Sequence, residues 1–209
     1  MPYDVPQAGH YLIETPTSTF TLLEAARAGD RQALSRAFEK YQRRLTVLVY
    51  YRVAPEARRF EEVEDLVQET FLRAWRDLDR FRWQSPDSFF RWLASIAGHV
   101  VIDQARYRAR ECRAGEEVPL RSASNPGGAD PADIATPSRL LARKEAVERL
   151  LARLDELPAD YREALVLAKI EGCTTAEIAG RMGKSREAVA LLVYRALKRL
   201  RASAPERAR

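Results

Sequence analysis

Apolar residues recur every three or four positions along most of the chain, which is the period of an amphipathic α-helix. The clearest run predicts a helix that Asp30 caps and that continues to about Val53, with an apolar side formed by Leu34, Phe38, Tyr41, Leu45, Leu48 and Val49. No stretch alternates apolar and polar residues convincingly, as a half-buried strand would. The pattern therefore predicts an all-α fold.

Helical patterning falls into two blocks. In the first block, one helix ends at Gly29, one runs from about Val63 to Leu78 after an acidic entry, and one runs from about Asp87 to Arg110. The second block contains helices from Arg139 to Leu157 and from Ala159 to Ile170, followed by two shorter ones. Residues 111–138 between the blocks hold four prolines, three glycines and few large apolar side chains, which is the composition of a linker.

The chain is therefore predicted to form two helical domains joined by a flexible linker, and we expect the domains to move independently. The predicted order is a flexible N-terminal arm at 1–19, a first domain at 20–110, the linker at 111–138, a second domain at 139–201 and a tail at 202–209.

A helix-turn-helix motif is predicted after Gly172. Thr174 and Glu177 have the spacing of a capping box, which opens a short helix, Gly183 ends that helix, and Ser185 caps the next. Two short helices joined by a glycine-containing turn, the second of them basic, are typical of a motif that places its second helix in the major groove of DNA.

Projection of this second helix separates an apolar side from a side that we expect to contact DNA. Val189, Leu192, Val193, Ala196, Leu197 and Leu200 share the apolar side. The opposite side leaves two apolar residues, Leu191 and Tyr194, beside Arg195 and Lys198. We expect the apolar pair to contact a thymine methyl group or a sugar, and the cations to contact phosphates.

Charge supports this interpretation. The net charge is +5, and residues 139–209 hold 16 Lys and Arg against 10 Asp and Glu, whereas the preceding residues hold 19 against 20. Between 181 and 201 a single acid, Glu187, faces seven basic residues. Such clustering is an electrostatic footprint for nucleic acid, although a solvated basic helix shows it too.

Other classes of protein are disfavoured by the composition. No run approaches the length of a membrane span, and the N-terminus has no signal-peptide pattern, so we expect a cytoplasmic protein. Cys112 and Cys173, with His10 and His99, have no metal-ligand spacing. We expect no metal, no cofactor and no catalytic residue.

The helix predicted at 63–78 offers a candidate surface for binding another protein. Leu66, Val67, Thr70, Phe71, Ala74, Trp75 and Leu78 project to its buried half. The other half carries Leu72 among charged and polar residues. This pattern is typical of a surface that docks on another protein, and also of a helix face that is simply solvated. The candidate docking face is formed by Asp65, Gln68, Glu69, Leu72 and Arg73.

The helix predicted at 87–110 is apolar early and basic late. Phe89 and Trp92 are expected in the core. Trp83, next to Arg82 in the preceding loop, is the better candidate to stack on an unpaired base, and the basic end of the helix offers further contacts through Arg106, Arg108 and Arg110.

The chain closely resembles the extracytoplasmic-function (ECF) sigma factors of bacterial RNA polymerase, in the sigma-70 family. The resemblance covers about residues 20–201 and rests on the strings EDLVQETFLRAWRDLDRF, FRWLASIAGHVVIDQARYRAR and LPADYREALVLAKIEGCTTAEIAGRMGKSREAVALLVYRALKRLR. It implies that residues 20–110 are region 2, which docks on core RNA polymerase and opens the minus-ten element. It also implies that residues 139–201 are region 4, which reads the minus-thirty-five element. An anti-sigma factor is a further partner that the resemblance suggests.

Two positions depart from the family pattern. Gly98-His99 stands where the family commonly has Arg-Asn, so we expect the minus-ten bases to be read differently, with His99 among the candidate contacts. Ala190 and Leu192 stand where recognition helices usually carry cations. The remaining candidates in region 4 are Ser185, Arg186, Glu187, Leu191, Tyr194, Arg195 and Lys198.

The sequence is also compatible with two alternatives. One is a helix-turn-helix transcriptional regulator with a helical sensor domain, which copurification with core polymerase would separate from a sigma factor. The other is a nuclease that holds Mg²⁺ through Glu61, Glu62, Glu64 and Asp65. Neighbouring acids at one helix start point in several directions, which argues against a shared metal.

Overall fold

The computed structural model describes the backbone of residues 16–114 and 137–202. Side chains are described for 19–110, except position 57, and for 144–202. Eight α-helices and no strand occur in these ranges: α1 Pro16–Arg27, α2 Arg31–Arg52, α3 Phe60–Arg76, α4 Ser88–Ala114, α5 Pro137–Asp155, α6 Ala159–Leu165, α7 Thr175–Met182 and α8 Arg186–Ala202. A π-helical segment, Val166–Glu171, continues α6. None of the described helices is long and apolar enough to cross a membrane.

Helix α2 is the central element because it is buried on every side near its C-terminal end. Asp30 caps its start by accepting hydrogen bonds from the backbone N–H groups of Gln32 and Ala33, at 2.9 and 3.1 Å. The five consecutive residues 45–49 are each at most 5% exposed. Five residues span more than one turn of an α-helix, so α2 needs neighbours all around it. The helices α1, α3, α4 and α5 and the π-helical segment supply them.

The helix-turn-helix forms as the sequence predicts. The Thr174 hydroxyl accepts from the backbone N–H of Glu177, whose carboxylate accepts from the backbone N–H of Thr174 at 2.7 Å, which completes the capping box. Gly183 ends α7 with φ +62°, and Ser185 accepts from the N–H of Ala188 at 3.2 Å to cap α8. A small cluster of Leu167, Ile178 and Val189 packs the two helices onto the π-helical segment.

The helix bounds differ modestly from the predicted ones. Helix α3 begins at Phe60, before the expected Val63, because Glu61 and Glu62, which we expected to precede the helix, form its first turn. Helix α4 continues to Ala114 and α5 begins at Pro137, so the predicted linker is helical at both ends. The rest of that linker, most of the N-terminal arm and nearly all of the tail lie outside the described residues, and their flexibility stays a prediction.

The two helical units, α1–α4 and α5–α8, pack against each other, whereas we expected them to be independent. The Arg44 Nε donates to the carbonyl of Ile170 at 2.8 Å, and the hydroxyls of Tyr50 and Tyr51 donate to Asp155 at 2.8 and 3.0 Å. Buried apolar side chains of both units form one continuous cluster. The expectation considered only the linker composition, but the contact is made by helices on either side of it.

The backbone at the turn of the helix-turn-helix generates a stability prediction. A Cβ added at Gly180 or at Gly183 would meet no atom within 4 Å, but Gly183 has a left-handed φ and Gly180 is inside α7. Gly183→Ala should destabilise the chain by about 1–2 kcal/mol through left-handed strain. Gly180→Ala should stabilise it by about 0.5–1 kcal/mol.

Thermal unfolding followed by circular dichroism measures both changes, and each variant is the size-matched control of the other. Equal shifts of the two midpoints would show that the left-handed turn does not determine the effect.

Candidate functional site

The candidate docking face on α3 is present and is partly open to solvent. Asp65 and Gln68 are exposed, whereas Leu72 is half-buried. Glu69 and Arg73 are also half-buried and pair with each other at 2.8 Å. The five predicted residues therefore lie on one helix, with Asp65 and Gln68 exposed to a partner.

Trp75 belongs to this face, and its predicted place in the buried half of α3 was wrong. Its side chain is 37% exposed. Trp75 lies three residues after Leu72, so the two share one side of the helix. The helical projection placed Trp75 at the edge of the buried half, well away from its centre around Thr70, and that edge is open to solvent in the structure. Leu72 and Trp75 give the face an apolar patch, which is the composition of an interface core.

An ion pair joins the docking face to α4. Arg73 Nη1 lies 2.8 Å from Asp103 Oδ2. This hydrogen bond holds the pKa of Asp103 below its usual value. The Asp103 carboxylate therefore stays ionised among the cations of α4, and it forms an ion pair with Arg73 of the docking face.

The exposed side of α4 carries three of the predicted DNA contacts. His99, Arg106 and Arg110 are exposed, with Ile102 between them at 48% exposure. Sequence reasoning missed Ile102, although its spacing of three from His99 and four from Arg106 places it on the same side. Arg108 is separate from this group because it is half-buried and pairs with Glu62 on α3.

Arg82 and Trp83 lie in the loop before α4. Arg82 is exposed and donates to the backbone carbonyl of Asp79 at 2.6 Å. Trp83 is half-buried and packs edge-on against Phe20 and Phe81, with ring centroids 5.6 and 6.4 Å apart. The loop thus packs the Trp83 ring against the core, while the neighbouring Arg82 side chain faces solvent. Phe89 is fully buried and Trp92 half-buried, as predicted.

The predicted reading side of α8 is exposed along its length. Leu191 is 45% and Tyr194 64% exposed, while Val189 and Ala196 on the opposite side are buried. Arg186, Glu187, Arg195 and Lys198 are exposed as well. Ser185 is exposed, but its hydroxyl oxygen already caps the helix.

Three of the four acids at the start of α3, Glu61, Glu62 and Glu64, are engaged in ion pairs. Glu62 pairs with Arg108, and Lys144 Nζ lies 3.8 Å from Glu61 and 3.7 Å from Glu64. Among the side chains that the structure describes, no group of three or more His, Cys, Asp and Glu residues could hold a metal ion. Nothing in this part of the molecule therefore supports the nuclease alternative.

Comparison with known proteins gives one consistent result. Residues 16–207 match the family model described as ECF sigma factor. The ECF RNA polymerase sigma factor BldN of Streptomyces coelicolor is 34% identical over 191 residues, which cover 90% of this chain and 66% of that protein. The ECF RNA polymerase sigma-E factor of Escherichia coli K12 is 28% identical over 175 residues, or 84% and 88% of the two chains.

Two solved structures are also similar. One is an RsbN–BldN complex, with 27% identity, a TM-score of 0.35 and coverage of 87% of this chain and 99% of that one. The other is CnrH in complex with the cytosolic domain of CnrY, with 25% identity, a TM-score of 0.41 and coverage of 88% and 96%.

The Arg73–Asp103 pair generates a prediction about titration. Because the hydrogen bond favours the ionised carboxylate, Asp103 should titrate below its usual range in the native protein, and Arg73→Gln should raise its pKa. Any stability that the pair contributes is present above the unfolded-state pKa of Asp103 and is lost as the pH falls through the folded-state value.

NMR titration of the Asp103 side-chain carboxyl measures the change. Arg76→Gln, which removes an exposed cation from the same helix, is the control and should leave Asp103 almost unchanged. An equal effect of the two variants would show that general charge, rather than the hydrogen bond, sets the Asp103 pKa.

Proposed function

The chain belongs to the ECF sigma factor family. From this premise we propose which of its two units binds core RNA polymerase and which parts of the chain contact each promoter element. The unit α1–α4 binds core RNA polymerase through the docking face of α3 and contacts the minus-ten element through α4. The unit α5–α8 reads the minus-thirty-five element with α8. The observation that carries this assignment is the pair of exposed faces, one with an apolar patch among charges on α3 and the other basic on α8.

The docking role rests on the composition of the α3 face. Leu72 and Trp75 supply the apolar centre, while Asp65, Gln68 and Glu69 supply a polar rim. Interface hot spots are commonly aromatic or large apolar residues ringed by polar ones. Trp75 thus joins the five residues that the sequence assigns to polymerase binding.

The proposed DNA contacts fall into two groups, cations that contact phosphates and side chains that contact bases. Arg106 and Arg110 on α4, like Arg195 and Lys198 on α8, are exposed cations suited to phosphates. His99 and Ile102 lie on the same side of α4 as those arginines and are placed to meet bases of the opened minus-ten element, with Arg82 and Trp83 in the preceding loop as additional contacts. Arg108 is engaged by Glu62 and takes a structural role here.

In this proposal the protein has no catalytic chemistry of its own. It acts in the cytoplasm, where the polymerase and the chromosome are. Relatives have been solved in complex with other proteins, RsbN and the cytosolic domain of CnrY, and we propose an anti-sigma factor as a third partner of this chain. The helix-turn-helix regulator with a sensor domain is not favoured by the family match.

Run-off transcription with core polymerase tests the proposal, and two substitutions separate the two faces. Leu72→Asp buries a charge in the docking interface and should weaken core binding by ~2 kcal/mol, about thirtyfold. Ile102→Asp places the same charge on the promoter side of α4. It should leave core affinity near that of the wild type and reduce promoter binding by the holoenzyme.

Circular dichroism of both variants should show native helix content. A Leu72→Asp chain that has lost its helix content would place Leu72 in the core and contradict the docking face. Wild-type core affinity in a folded Leu72→Asp variant would contradict it as well.

Two variants of α8 test how region 4 reads DNA. Arg186, at the start of α8, is the cation placed to contact bases, because Ala190 and Leu192 supply none. Arg186→Ala should lose ~1–3 kcal/mol on the preferred site and relax base preference there. Lys198→Ala should weaken all sequences alike and make the salt dependence shallower by about one unit of slope.

Binding of both variants to matched and scrambled minus-thirty-five duplexes at two salt concentrations measures the difference. If both substitutions caused the same loss on every sequence, Arg186 would be a phosphate contact and α8 would hold DNA without reading it.

A further inference from the structure

The middle of α8 carries no side chain that can form a hydrogen bond. The six residues 188–193 read AVALLV. Polar side chains precede this run at Ser185, Arg186 and Glu187, and they resume after it at Tyr194 and Arg195. A protein normally distinguishes bases by hydrogen bonds to their edges. Residues 188–193 can distinguish them only by apolar contact.

Leu191 is the large side chain that this run presents to solvent. It is 45% exposed, whereas the next two residues, Leu192 and Val193, are half-buried. Ala190 is exposed too, but its side chain ends at Cβ. Leu191 lies three residues before the exposed Tyr194, so the two share one side of the helix. An apolar contact from the middle of α8 to a base is therefore a contact of Leu191.

Cations lie on both sides of this apolar position along the helix. Arg186 lies five residues before Leu191, and Arg195 and Lys198 lie four and seven residues after it, all of them exposed. Glu187 is the one acid between 181 and 201. Exposed cations around the leucine match the phosphates of a duplex, whereas an apolar protein surface would leave those cations unpaired. The charge thus favours DNA as the partner of Leu191.

Leu191 and Arg186 lie too far apart to read the same base pair. At about 1.5 Å per residue they are about 7.5 Å apart along α8, which is roughly two base pairs at about 3.4 Å per pair. The short side chain of Ala190 lets α8 approach the base edges more closely than a long cation at that position would. Leu191 therefore meets a base pair that Arg186 does not read.

The C5 methyl group of thymine is the apolar feature of the major groove. Guanine, adenine and cytosine present hydrogen-bond donors and acceptors there. A leucine has no polar group in its side chain, so the base that it favours is the one whose methyl group it can cover and remove from water. 5-Methylcytosine carries the same group at the same ring position. Contact with leucine therefore favours either of these two pyrimidines over cytosine.

We propose that Leu191 reads the C5 methyl group of a pyrimidine in the middle of the minus-thirty-five element, which is thymine in unmodified DNA. The inference rests on the proposed function of α8 and adds a base preference to it. It also makes this contact sensitive to DNA modification, because a methyl group added to cytosine at the same position supplies the same surface. Ala190, in place of a cation, makes room for the contact.

Deoxyuridine tests the contact, because uracil pairs as thymine does and lacks the C5 methyl group. In the promoter used for run-off transcription, each thymine of the minus-thirty-five element is replaced in turn on both strands, and binding of the holoenzyme is measured. Covering one methyl group corresponds to about fourfold in affinity. We expect a loss of about that size at one or two positions. At such a position, 5-methylcytosine should bind better than cytosine by a similar factor.

Variants of α8 assign the preference to one side chain. Leu191→Ala should bring both affinity ratios, thymine over uracil and 5-methylcytosine over cytosine, to about one. Leu191→Met keeps a long apolar side chain and should retain both ratios. Lys198→Ala is the control, since loss of a phosphate contact should weaken binding to all four duplexes and leave the ratios unchanged. Tyr194→Phe keeps the ring without the hydroxyl and should leave them unchanged as well.

Three results would overturn the proposal. The first is a minus-thirty-five element in which no thymine methyl group affects binding. The second is a Leu191→Ala variant that loses the same affinity on thymine and uracil duplexes, which would place Leu191 on a sugar. The third is a Leu191→Ala variant that binds every duplex as the wild type does, which would leave Leu191 to a protein partner.

The unmodified promoter separates this inference from the proposed function. A wild-type holoenzyme that neither binds nor transcribes it would contradict the sigma-factor role, and the methyl contact with it. A holoenzyme that transcribes the promoter but shows no methyl preference would contradict the methyl contact alone.

Discussion

The burial of α2 on all sides is the constraint from which the rest of the arrangement follows. An amphipathic surface helix needs one covered stripe, whereas a helix that is apolar all round needs a complete shell of neighbours. Residues 45–49 are buried without a gap. Helices α1, α3 and α4 leave one side of α2 to be covered by α5 and the π-helical segment. The same helix therefore organises the first unit, α1–α4, and provides the surface on which the second unit, α5–α8, rests.

Local signals in the sequence were sufficient to predict the helices of the helix-turn-helix and to predict which sides of α8 are buried and exposed. The Thr174–Glu177 box, the turn at Gly183 and the cap at Ser185 each act within four residues, so their outcome depends little on distant packing. The projection of α8 succeeded for the same reason, because its buried and exposed sides follow from a regular period. The family and its function were also recognisable, since whole helices of the two units carry the resemblance.

Contacts between distant parts of the chain could not be predicted in this way. The stretch 45–51, LTVLVYY, is apolar without a polar side, which indicates a helix covered all round, but nothing local says which element completes the cover. Trp75 shows a related limit. The projection places it at the edge of the buried half of α3, and whether a residue at that edge is covered depends on the neighbouring helices, which only the packed structure shows.

The departure at Gly98 connects local sequence with this long-range contact. A Cβ at position 98 would lie 3.4 Å from Arg52 Nη1, so alanine fits there but a long side chain would compete with the Arg52 guanidinium for the same space. That guanidinium reaches Ala94 and Glu171 across α4. A glycine at 98 thus leaves α4 without a side chain at this point and makes room for the Arg52 guanidinium, which ties α2 to the second unit. The position on α4 that departs from the family pattern is therefore also the position that leaves room for this contact between the two units.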